Sequence, residues 1–327
     1  MRAALPAIHK THRRKGRPQF ERIALLLQGG GALGAYQAGV YQALAEADLH
    51  PDWIAGISIG ALNAAIIAGN PAEKRVEKLR EFWETLSRPP LGMPSLCGFE
   101  IKNEYSHRIV NQLYSIGALL GGAPGFFEPR LPSPLIFPPE SIQTLSYYDV
   151  SALKTTLLRL VDFDLINCGD TQLSVGAVNV STGNFVYFDN NCCDLTPAHV
   201  MASGSLPPGF PATEIDGEFY WDGGLVSNTP LQWVLDSEPR KDTLAFQIDL
   251  WSARGEIPRN LLELETRQKE IRYSSRTRAA QTSSRKCRNC AGRPQSSLSG
   301  SQETYAKRRR RNCSLPLQTT KSIISCT

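Results

Sequence analysis

Apolar residues recur along the chain in two alternating rhythms. Residues 23–27 (IALLL) form a short, wholly apolar run that ends at a glycine cluster, the pattern of a strand buried on both faces. Over 34–47 the spacing becomes helical, with Ala35, Ala38, Val40, Ala43, Leu44 and Ala47 apolar. Residues 53–57 (WIAGI) predict a second strand and 60–68 (GALNAAIIA) a second helix. Over 72–86, Val76, Leu79, Phe82, Trp83 and Leu86 recur three and four apart between charges, predicting an amphipathic helix. Strand, helix, strand, helix implies an α/β fold with a parallel sheet.

Farther on, residues 171–188 predict a hairpin turning at Ser181-Thr182-Gly183, and 212–221 a second one at Asp216-Gly217, the residue pair that tight hairpins favour. Residues 243–250 (TLAFQIDL) predict a buried strand. Residues 257–279 predict a charged helix with Leu261, Leu262, Leu264 and Ile271 on one side. Between these regions, 88–140 holds nine of the 22 prolines together with Phe99, Phe126, Phe127, Leu131, Leu135, Ile136 and Phe137. It is either a lid over a pocket or a surface excursion packed by its own apolar groups. After Ala280 the rhythm stops. Residues 281–327 contain five Leu, Ile, Val or Phe against nine Ser, too little apolar surface to offset the entropy of ordering, so a disordered tail is expected. The abrupt change of texture also suggests a non-native continuation of the reading frame.

Charge sharpens this division. The net charge of +5 comprises +6 in residues 1–20, +9 in 281–327 and −10 in 21–280. A basic flexible arm therefore precedes an acidic globular part, which disfavours a specific nucleic-acid face on the core. The basic arms suit anionic lipid, so peripheral membrane contact is expected there. No run of apolar residues is long enough for a membrane span, and the basic start has the wrong order for a secretory signal; the expected location is cytoplasmic. The eight Cys form no disulfide framework. Cys287 and Cys290 could open a zinc site with Cys313 and Cys326, but their spacing is poor and no His lies nearby, so neither metal nor organic cofactor is called for.

Three local arrangements carry chemistry. Gly29, Gly31 and Gly34 match the dinucleotide-binding spacing after a strand, but that role needs an acid at the end of the next strand. Here that strand ends Gly56-Ile57-Ser58, and Asp52 precedes it. A phosphate-binding Walker loop fails too, because no Lys-Ser or Lys-Thr follows Gly34. Bare backbone amides at a helix start instead suit a developing oxyanion. Gly56-Ile57-Ser58-Ile59-Gly60 is a G-x-S-x-G between strand and helix, a turn that projects a nucleophilic hydroxyl; the plainer reading is Ser58 as a helix cap. A nucleophilic Ser needs a base. One route is Asp189 or Asp194 with His199, although His199 reads as part of a helix start. The third arrangement, Asp222-Gly223-Gly224, places an acid at a glycine turn, and alone it is weak.

Taken in order, GGGALGAYQAGV, GISIG, ASGSLPPGFP and DGG resemble the patatin-like phospholipase family over about residues 21–250. The resemblance implies a three-layer α/β/α fold with a mainly parallel central sheet, and hydrolysis of lipid or acyl-ester substrates without a cofactor. It implies Ser58 as nucleophile and Asp222 as its partner without a His. The amides of Gly29, Gly30 and Gly31 would form an oxyanion hole, with Gly34, Gly56, Gly60, Gly223 and Gly224 supporting the motifs. Asp222 is expected within hydrogen-bond reach of Ser58. Leu33 stands where many members carry Arg or Lys, which weakens any preference for a phosphodiester head group. The helix near 257–280 is similar to a C-terminal extension in a bacterial subgroup. Esterase, thioesterase or polyester hydrolase activity, a nicotinamide-dependent oxidoreductase, and an inactive product with a shifted tail are the competing readings.

Overall fold

A computed structural model describes residues 18–88, 117–118, 120–132, 134, 136, 141–261, 263–274 and 322–326. The strands are β1 (Arg22–Leu27), β2 (Trp53–Ile57), β3 (Glu128–Pro129), β4 (Tyr148–Asp149), β5 (Gln172–Asn179), β6 (Phe185–Asp189), β7 (Thr213–Ile215), β8 (Glu218–Asp222), β9 (Thr243–Ile248) and β10 (Ser322–Cys326). The helices are α1 (Gly34–Glu46), α2 (Ile59–Ala68), α3 (Arg75–Leu86), α4 (Ser151–Leu160), α5 (Phe163–Cys168), α6 (Pro197–Gly204), α7 (Leu231–Leu235) and α8 (263–274).

The central sheet runs β10-β9-β1-β2-β5-β8-β7, with β6 also on β5. Strands β10, β9, β1, β2 and β5 are parallel, whereas β6, β8 and β7 join antiparallel. It is a mixed α/β fold with a mostly parallel sheet, as the strand–helix alternation implies.

The period of two along β1 sorts its side chains between two cores. Ile23, Leu25 and Leu27 join the larger core with α2, α3 and α4. Ala24 and Leu26 meet Trp53, Leu231 and Val234 on the other face. Helix α2 is buried along all ten residues, which explains why its sequence is apolar on every side. The second hairpin turns through Asp216 and Gly217, both at positive φ (51° and 83°), as a two-residue turn between right-twisted strands requires.

One region departs from the sequence reading. Residues 322–326 form the parallel edge strand β10 on β9, inside the segment expected to be disordered. The composition of 47 residues averages away a five-residue run, Ser-Ile-Ile-Ser-Cys, that suffices for an edge strand. Leu261, just before α8, and Leu264 and Ile271 on it, which the sequence places on one side of a charged helix, are exposed. The calls on residues 1–17 of the basic arm, on 281–321 of the tail with Cys287, Cys290 and Cys313, and on most of 88–140 lie outside the described residues. The described part of 88–140 packs Phe126 and Phe127 against Phe210, and β3 against β4.

The fully buried Ile66 reports the cohesion of the main core. Ile66→Ala should cost about 2–5 kcal/mol, whereas Leu158→Ala, at an exposed helix position, should stay within about 0.5 kcal/mol. Urea denaturation of both variants checks the contrast.

Candidate active site

The site is built where parallel strands end. The glycine segment follows β1, and Ser58 follows β2, its neighbour in the sheet. Ser58 has φ 56° and ψ −127°, a conformation that L-residues enter only under constraint. Its side chain makes no cap bond to α2, so the helix-cap reading of Ser58 does not hold for its hydroxyl. The constraint comes from close packing. A Cβ on Gly56 would lie 2.3 Å from the Gly60 carbonyl oxygen, and one on Gly60 would lie 2.3 Å from that of Leu27. Only hydrogen fits where α2 starts against β1 and β2. Gly34 serves the same contact from α1, with a Cβ there falling 2.6 Å from Ile59 Cγ1.

Asp222 arrives from the antiparallel side. Strand β6 pairs with Ser174–Val178 of β5 along one edge. Strands β2 and β8 must therefore share the other edge end to end. Ile57 faces Gly176, and Asp222 faces the next residue, Ala177. Ser58 follows Ile57, so the ends of β2 and β8 bring the two side chains together. The Ser58 side chain lies beside the Asp222 carboxyl, close enough to oppose the rise of its pKa, and the Gly224 N–H donates to Asp222 Oδ1 at 2.7 Å. Asp222 is only 1% exposed. Burial pushes its pKa up to about 6, against the opposing pull of Ser58 and Gly224. Gly223 fits because a Cβ there would lie 2.6 Å from the Gly176 carbonyl oxygen.

The glycine segment is clamped from the Asp222 side. The Gly29 N–H donates to the Asn228 carbonyl at 3.2 Å, which narrows the oxyanion expectation: this amide is already spent. Gly30 and Gly31 are the members of the run whose N–H groups have no acceptor among the described residues. Gly31 has φ 58°, a turn that glycine enters without strain. The Gly29 carbonyl accepts from Asn228 Nδ2 and from Trp251 Nε1, each at 2.8 Å.

Sequence reasoning gave no role to Asn228, Trp251 or Ser203. Ser203 Oγ accepts from the Ser58 N–H at 3.0 Å and donates to the Gly176 carbonyl at 2.6 Å, tying the Ser58 turn to β5. Ser203 lies within ASGSLPPGFP and Asn228 four residues past the DGG motif, but nothing in local spacing reveals their partners. The competing base is placed elsewhere. His199 Nδ1 accepts from the Thr196 N–H at 3.0 Å and closes the capping box of α6, its ring edge-on to Phe188. Burial lowers its pKa. Asp189 is taken up by Ser174 Oγ at 2.5 Å and Gln172 Nε2 at 2.8 Å. Asp52 sits at the opposite end of β2 from the glycine segment and accepts from the Ile23 N–H at 2.8 Å, so no ribose-binding acid completes a dinucleotide site. No group of three or more His, Cys, Asp or Glu suited to a metal ion occurs among the described residues.

A family model described as Patatin-like phospholipase matches residues 25–235. Over 210 residues the chain is 26% identical to patatin-like phospholipase domain-containing protein 7 of Mus musculus, covering 64% of this chain and 12% of that protein. Over 214 residues it is 27% identical to a patatin-like phospholipase domain-containing protein of Caenorhabditis elegans, with the same two coverages, 64% and 12%. The chain thus matches about an eighth of the length of these curated relatives. The crystal structure of VipD from Legionella pneumophila aligns at a TM-score of 0.37 and 16% identity, over 76% of this chain and 52% of that one.

Burial of Asp222 has a consequence for stability. Its folded pKa lies above the usual carboxylate value, so the folded state holds the proton more tightly than the unfolded chain does. The associated stability is complete below the unfolded pKa and is lost as pH rises through about 6. At higher pH the fold carries a buried charge that Asp222→Asn removes. The variant should be more stable than the wild type at pH 8 by roughly 1–3 kcal/mol, with the gap closing near pH 4. Urea titrations of both proteins at the two pH values measure it.

Proposed function

Because this chain belongs to the patatin-like phospholipase family, we propose that it is a lipid acyl hydrolase working through Ser58 and Asp222. The observation that carries this reading is the pairing of a hydroxyl on a strained strand–helix turn with a buried carboxyl of raised pKa. Ser58 Oγ attacks the acyl carbonyl while Asp222 takes its proton. A carboxylate with a pKa of about 6 is still ionised at neutral pH, yet it is a stronger base than an ordinary one. The tetrahedral oxyanion falls to the amides of Gly30 and Gly31. Collapse breaks the ester C–O bond, and Asp222 returns the proton to the leaving alcohol. Water, deprotonated by Asp222, then releases the acid from Ser58.

The substrate class rests on the surroundings of the site. Leu33 and Tyr36 beside the glycine segment, Leu206 after α6, and Leu225 and Val226 after Asp222 are all exposed. Exposed apolar groups next to the site's motifs suit an acyl chain and contact with a lipid surface. The missing cation at Leu33 favours an uncharged ester over a phosphodiester head group. No helix among the described residues is long and apolar enough to cross a membrane, so contact with lipid would be peripheral.

Hydrolysis of nitrophenyl acyl esters tests the reading. Ser58→Ala and Asp222→Asn should each lower kcat by at least about 10³-fold. His199→Ala should keep kcat within about threefold while losing about 1 kcal/mol of stability with its cap. In the wild type, kcat/KM should fall about tenfold per unit below pH 6, as Asp222 becomes protonated. Activity that survives Ser58→Ala overturns the assignment.

A further inference from the structure

The peptide unit joining Gly29 and Gly30 has unusual freedom and unusual restraint. Neither residue carries a Cβ, so the unit can rotate between orientations that other residues forbid. It is trans, since the cis bonds among the described residues all precede proline. In a trans peptide the C=O of one residue and the N–H of the next point in opposite directions from one rigid plane. Whatever holds the Gly29 carbonyl therefore aims the Gly30 N–H.

Two side chains hold that carbonyl, Asn228 through Nδ2 and Trp251 through Nε1, both at 2.8 Å. Asn228 also grips the preceding peptide unit, because its own carbonyl accepts from the Gly29 N–H at 3.2 Å. The unit lies against the nucleophile: a Cβ on Gly29 would fall 3.1 Å from Ser58 Cβ and 2.3 Å from Asn228 Oδ1. Asn228 is buried on the segment that leaves Asp222, and Trp251 follows β9 and packs on Tyr273.

We propose that Asn228 and Trp251 are positioning residues that lock the Gly29–Gly30 peptide against flipping and so keep the Gly30 N–H directed at the oxyanion. The inference rests on the acyl-hydrolase reading and adds two residues to it. The lock acts when charge develops on the substrate oxygen, so its loss appears in kcat and leaves ground-state binding alone. It also makes the turn carrying the base and the turn carrying the oxyanion donors one mechanical unit.

The test uses the full chain with Asn228→Ala, Trp251→Phe and the double variant. Readouts are nitrophenyl ester kinetics, and affinity for an alkyl trifluoromethyl ketone, which adds to Ser58 and presents an oxyanion. Each single variant should lower kcat about tenfold and the double about 10²–10³-fold, with KM within about twofold. Ketone affinity should fall in proportion to kcat/KM. Trp251→Phe keeps a ring against Tyr273 while deleting the donor, so it decides the matter if Asn228→Ala fails to fold. Variants that keep wild-type kcat, or lose kcat with ketone affinity intact, overturn the proposal while Ser58-dependent turnover in the wild type upholds the underlying reading. A folded wild type that neither hydrolyses the esters nor is labelled at Ser58 by a fluorophosphonate overturns both.

Discussion

The edge of β5 opposite β6 is the constraint on which the rest of the site depends. One parallel strand, β2, and one antiparallel strand, β8, meet end to end along it, at Gly176 and Ala177. Hydrogen-bond register therefore sets the distance between the hydroxyl after β2 and the carboxyl at the end of β8. A slip of one residue in β8 would turn Asp222 to the other face, and one in β2 would shift the turn that carries Ser58. The junction is also too narrow for side chains, which is why Gly176 and Gly223 stand there. A Cβ on Gly176 would meet Ile57 Cδ1 at 2.5 Å.

Around that junction lies a connected set of buried polar groups. Gln28 Nε2 donates to Thr229 Oγ1, and Gln28 Oε1 accepts from the Leu250 N–H. Gln37 Nε2 donates to the Gln28 carbonyl and accepts at Oε1 from Asn63, which also accepts from Trp83 Nε1. These bonds bind the start of the glycine segment to α1, α2 and α3, to Leu250 just past β9 and to Thr229 on the segment beyond Asp222. Such networks rigidify a core when every member is satisfied, and they are costly when one member is lost. Buried amides and an indole thus hold backbone amides in place at a point where glycines alone would leave the chain loose.

The same neighbourhood also opposes stability. Ser58 occupies a strained backbone conformation, and Asp222 is a buried carboxyl whose pKa is raised by desolvation. Both features disfavour the fold and favour the proposed chemistry, the first by exposing a hydroxyl and the second by strengthening a base. The all-buried helix α2 and the alternating core of β1 offset them.

The sequence alone determined the local pieces. The run at 23–27, the helical spacing after Gly34, the strand at 53–57 and the Asp216-Gly217 turn depend on neighbouring residues, and short-range sterics and periodicity decide them. The motif residues Ser58 and Asp222 were legible only because ordered motifs resemble a known family; composition and spacing left a His partner open. Tertiary structure decided which acid meets Ser58, that His199 closes a helix cap, that the Gly29 amide is spent on Asn228, and that Trp251 reaches the same carbonyl. It also decided that residues 322–326 pair with β9 and that the stripe on α8 stays exposed. These outcomes depend on register and packing between segments far apart in the chain. A hydrogen bond between distant residues leaves no periodic trace in either one.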